Sequence, residues 1–202
     1  MGFQRRVAFF SDNGLVVDFE KVFAFLEDHG FEFDGARCSV ALQAGRLVEE
    51  DMSAFLESPA EFASPDAEGM LGQWFDADAN CGFSFGVLRV RTKSVGLITF
   101  LDQDIENLSN HFRLSNILIF EFLLEFSRLI DADSVVVFSD YSKNVDKIIG
   151  DPHAQSWGVD DSSEVTLVAG KAEINLSEEA KRVFAPFGRS DFPVWMKWPF
   201  PV

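Results

Sequence analysis

The chain has 202 residues, of which 33 are acidic and 17 basic, giving a formal net charge of -16. A hydrophobic content of 47% with 25% charged residues is the balance of a folded chain able to bury a continuous core, and it excludes intrinsic disorder. The acidic excess argues against nucleic acid, whose phosphates need Lys and Arg, and against electrostatic attachment to anionic lipid.

In chain order, Arg5–Phe10 reads as a short strand closed by the turn-prone Ser11-Asp12-Asn13-Gly14. Asp18 is placed to cap a helix in which Phe19, Val22, Phe23 and Leu26 recur at helical spacing and Gly30 is the stop. Ser39–Leu42 reads as a second strand, and Leu47–Leu56 as a short helix ended by Ser58-Pro59. The span 59–82 combines Pro, Ala, Gly, Ser and acid, the composition of an acidic exposed loop. Phe83–Val90 and Val95–Leu101 read as strands joined in a hairpin around Arg91–Ser94.

Ser109–Ile130 carries the strongest helical signal. It is apolar over most of its circumference, with Arg113, Glu121, Glu125 and Arg128 forming a narrow polar stripe. Ser134–Phe138 is a β run. Lys143–Ile149 reads as a short helix, Val165–Val168 as a strand, and Ser177 opens a final helix. The tail, 190–202, holds Trp195, Trp198 and three prolines and should lie extended. The expected fold is α+β: a single domain over 1–202, with a mixed or mainly antiparallel sheet packed on a long central apolar helix. Phenylalanine supplies 23 rings against 4 Trp and 1 Tyr, which favours a thick core.

Charge is the sharpest functional feature. Leu47–Leu88 holds nine acids and no Lys or Arg. Glu49, Glu50, Asp51, Glu57, Glu61, Asp66, Glu68, Asp76 and Asp78, interleaved with Trp74 and Phe75, are the candidate partner-binding residues. Charge would steer the encounter with a basic protein and buried rings would hold it. The competing reading is a solvated acidic face. In size, acidity and lack of motifs the chain resembles the immunity proteins that bacteria keep in the cytoplasm against toxins. The likeness is one of composition over the whole chain, no motif carries it, and no residue role is transferred.

Searches for chemistry are negative. Asp76-Ala-Asp78-Ala-Asn80 begins like a calcium loop, but Cys81 stands where glycine is required and Val87 where the bidentate Glu belongs. A weak, irregular cation site is all that pattern leaves, and no metal site is assigned. His29, His111 and His153 show no metal-ligand spacing. Glu121 and Glu125 lie one helical turn apart, with Arg128 three residues on, as a surface ion pair would. Neither cysteine, Cys38 or Cys81, has an adjacent histidine, and no nucleophile elbow or phosphate loop is present. The expectation is a cytoplasmic binding protein without a cofactor; the alternatives are an enzyme or ligand-binding domain with a dispersed site, and a homo-oligomer that buries the surplus Phe and the Trp195 and Trp198 tail at a self-interface. No signal peptide or membrane span is expected.

Overall fold

The structure is a computed structural model that describes residues 4–43, 46–63, 70–78, 80–90, 93–101, 111, 119–139, 165–170, 177–178, 180–182, 185–187 and 194–196. Its elements are β1 (Gln4–Phe10), α1 (Phe19–Asp28), β2 (Glu32–Gln43), β3 (Arg46–Leu56), α2 (Pro59–Phe62) and β4 (Met70–Asp76). They continue with β5 (Cys81–Val90), β6 (Lys93–Leu101), α3 (Ile119–Leu129), β7 (Ser134–Ser139), β8 (Val165–Gly170), β9 (Ala185–Phe187) and β10 (Val194–Met196). Among the described residues the strands form one sheet in the order β3-β2-β4-β5-β6-β1-β7-β8-β10-β9. Every pairing described is antiparallel.

β1 lies within this sheet, with Val7 opposite Ile98 of β6 on one side and Val137 of β7 on the other. Val7, Ala8 and Phe9 are fully buried, as are Val135, Val136, Val137 and Phe138. Both faces of these strands are therefore covered, which accounts for their unbroken apolar runs. The helices meet the sheet through rings: Phe126 of α3 packs on Phe9 at 5.4 Å and on Phe85 at 4.9 Å between centroids. Phe25 of α1 lies 5.5 Å from Phe122 of α3.

α1 forms for local reasons. Val22 and Leu26 are buried on its inner face, and the Asp18 side chain accepts a hydrogen bond from the Lys21 amide. At its end the Phe31 amide reaches back to the Leu26 carbonyl and the Gly30 amide to Glu27. Gly30, at φ +84, supplies the left-handed residue of this Schellman closure.

Four expectations are corrected. Leu47–Leu56 is not a helix but most of β3, paired with β2 through Gln43↔Arg46, Val40↔Glu49 and Cys38↔Asp51. Helix propensity is a weak prior, and a long cross-strand ladder overrides it. The span 59–82 is not simply an exposed loop: it contains α2, with Phe62 buried, and β4, with Met70, Leu71 and Trp74 buried. The long central helix is not seen as expected. The described helix is the eleven-residue α3, and most of its expected first half lies outside the described residues.

Beyond Ser177 the chain forms a 3-10 turn at Ala180–Arg182 instead of an α-helix. The proposed helix at Lys143–Ile149, Arg113, His153 and Trp198 lie outside the described residues. No helix among the described residues is long and apolar enough to cross a membrane.

Candidate functional site

The acidic candidates separate into distinct places. Glu49, Glu50 and Asp51 are consecutive positions on β3, which among the described residues pairs with β2 alone and so forms an edge of the sheet. Consecutive strand positions alternate between faces, so what these three share is the edge and not one face. Glu57 and Glu61 follow, exposed, around the start of α2. Asp66 and Glu68 lie outside the described residues.

The remaining candidates lie at the β4–β5 turn. Phe75 is exposed and stands opposite Glu32 of β2, whereas Asp51 stands opposite Cys38. Six residues of β2, about 20 Å of extended chain, separate those two levels. Trp74 is 1% exposed and enclosed by Phe23, Phe33, Phe62 and Phe83, so it serves the core and offers no surface anchor. Asp78 is exposed, but Asp76 turns toward the interior.

Asp76 and Cys81 are the directly opposed residues that close the β4–β5 hairpin. They continue the row formed by the pairs Gly72↔Phe85 and Trp74↔Phe83, which carries core rings. The turn holds Asp76 in place, because its Oδ1 accepts the amide of Asp78 at 2.9 Å. Its Oδ2 lies 2.5 Å from Nδ1 of His111, a residue 35 positions away in sequence. Nε2 of His111 lies 2.8 Å from the carbonyl oxygen of His29, at the end of α1.

The His111 ring lies tilted against Phe31, 4.6 Å between centroids, and its Cε1 would stand 3.3 Å from a Cβ on Gly30. Cys81 is a fully buried thiol, and the ligating atoms of Asp76, Cys81 and His111 all lie within 4.8 Å of one another. One more titratable pair lies nearby: His29 Nε2 stands 4.0 Å from the half-exposed carboxylate of Glu125, while its Nδ1 faces the Phe25 carbonyl at 2.7 Å.

Both nitrogens of His111 face an oxygen acceptor. With a hydrogen on Nε2, that nitrogen donates to the His29 carbonyl, and Nδ1 then turns its lone pair toward Asp76. A Cys-His-Asp nucleophilic arrangement does not fit. Such chemistry needs one ring nitrogen on the thiol and the other on the orienting acid, and here they are held by a carbonyl and a carboxylate.

In sequence Asp76 and Cys81 share the failed calcium-loop pattern, which leaves only a weak cation site, and His111 has no spacing that joins it to them. In comparisons with known proteins, no family model matches the chain, no curated protein matches it in sequence, and no solved structure matches its fold.

Proposed function

We propose that the chain is an acidic protein-binding module of the immunity or inhibitor kind, acting in the cytoplasm by occluding a basic partner protein such as a toxin. The observation that carries this reading is the position of Glu49-Glu50-Asp51 on β3, a strand with one described neighbour at the limit of the sheet. An edge strand presents backbone donors and acceptors to which an extended segment can add. Three consecutive acids there select a segment bearing Lys or Arg and steer it in. Glu57 and Glu61 extend the charge beyond the end of β3.

The test begins with the tagged chain as bait and identifies a protein retained at one-to-one ratio at low salt. Association is then timed for the wild type and for the combined variant Glu49→Lys, Glu50→Lys and Asp51→Lys. A drop of about tenfold or more in the association rate, with a flattened salt dependence, supports the reading. Unchanged kinetics in a folded variant overturn it.

A second reading, a ligand-binding domain with a dispersed site, is favoured by one observation. Asp76, Cys81 and His111 converge although the sequence gives them no common motif.

A further inference from the structure

We infer that Asp76, Cys81 and His111 form a three-ligand site for a divalent cation of the zinc class. A thiol, an imidazole and a carboxylate together are the donor set that zinc takes, and the sulfur disfavours calcium and magnesium. At ordinary zinc–ligand bond lengths, tetrahedral donors stand about 3.3–3.6 Å apart. The observed cluster brackets that spacing, with Nδ1 of His111 2.5 Å from Oδ2 of Asp76 and all donors within 4.8 Å. A bound ion spreads the Asp76–His111 contact by roughly 1 Å and draws Cys81 in.

The outer contacts are those a metal site requires. Nε2 of His111 is directed at the His29 carbonyl, an arrangement that presents Nδ1 as the ligating atom. Oδ1 of Asp76 accepts the Asp78 amide, and Oδ2 is the oxygen that faces Nδ1 of His111. Cys81 and Asp76 are fixed relative to one another by the hairpin register. Among the described residues three protein ligands converge, and a tetrahedral ion there takes a fourth ligand besides them.

The full chain, stripped with a chelator under reducing conditions, is titrated with Co2+ and then Zn2+. The expected result is one Co2+ per chain, with a thiolate-to-cobalt charge-transfer band in the near ultraviolet that Zn2+ abolishes. Cys81→Ser removes that band, and Cys38→Ser keeps it. Asp76→Asn weakens Zn2+ binding about tenfold or more while leaving the circular dichroism unchanged. Absence of the band in the wild-type chain overturns the inference, as does a band that survives Cys81→Ser. Should Cys81→Ser fail to fold, Asp76→Asn decides: unchanged Zn2+ affinity in that variant sinks the site.

Discussion

Gly86 of β5 lies directly against the carbonyl oxygen of Met70 in β4, with no space between them for a Cβ. A methyl group there would also stand 2.8 Å from Cδ2 of Leu71. Both neighbours belong to the strand that composition alone disguised as a loop, so this contact marks how closely β4 is seated. Gly86→Ala must push β4 away from β5, and overpacking of this kind costs about 1–3 kcal/mol or more. Urea unfolding should show a lower midpoint with little change in slope. A midpoint equal to that of the wild type would mean that β4 is not held as described.

The aromatic core yields a paired prediction. Phe126 is fully buried, with rings of Phe9, Phe85, Phe25 and Phe122 within 6.1 Å of its centroid. Phe126→Ala removes a ring that joins α3 to β1 and β5, and comparable deletions cost about 3–5 kcal/mol. Phe75 is exposed on β4, and Phe75→Ala should stay within about 0.5 kcal/mol. Denaturant melts of the two variants, compared with wild type, check both numbers. Equal losses would contradict the burial described for these two rings.

What could be read from the sequence was what the chain decides locally. α1 has its cap at Asp18, its apolar spacing through Leu26 and its Gly30 stop within thirteen residues, and each signal corresponds to a contact in the structure. The β5–β6 hairpin and the Val135–Phe138 run were legible for the same reason. β3 was not, because Leu47, Val48, Met52 and Phe55 lie at spacings that suit a helix, and the choice is made by pairing with β2. The signal available was Gly45 between Gln43 and Arg46, the two residues that close the ladder.

The metal-type cluster was the least legible feature. The hairpin brings Asp76 to Cys81 over five positions, but His111 arrives from 35 residues away, and only the packing of α1 against the sheet places the His29 carbonyl beneath it. One local clue existed. Trp74, Asp76, Cys81 and Phe83 alternate toward one face, which would have marked Asp76 as turned inward.

Asp18 carries a pH prediction. The hydrogen bond and ion pair with Lys21, at 2.9 Å, hold its carboxyl below the ordinary aspartate value. A group with a lowered folded-state value contributes stability that is present above its unfolded value and lost as pH falls through the folded one. The wild type should therefore lose a small increment on the acid side of the carboxylate range. Asp18→Asn keeps a capping oxygen but removes the titration, so its stability curve should be flatter there. Because Asp18 is at the surface, added salt should shrink the difference. Thermal melts of both proteins across that range provide the check, and parallel curves would exclude the Lys21 contact as the cause.

Two roles for the acids on β3, protection of a sheet edge and the partner recognition proposed above, can be separated by substitution. Charge on an edge strand discourages pairing with a second copy, whatever else the strand binds. Replacing Glu49 and Glu50 with Gln, and Asp51 with Asn, removes charge while keeping shape and hydrogen-bonding capacity. Sedimentation velocity over a concentration series should show self-association in this variant and none in the lysine variant, whose edges still repel. If the acids serve solubility alone, the lysine variant captures the basic partner as well as the wild type does. If they also recognise the partner, both variants lose it, and only the neutral one aggregates. The two roles thus predict the same result for the neutral variant in solution and opposite results for the lysine variant on the partner, so capture by the lysine variant decides between them.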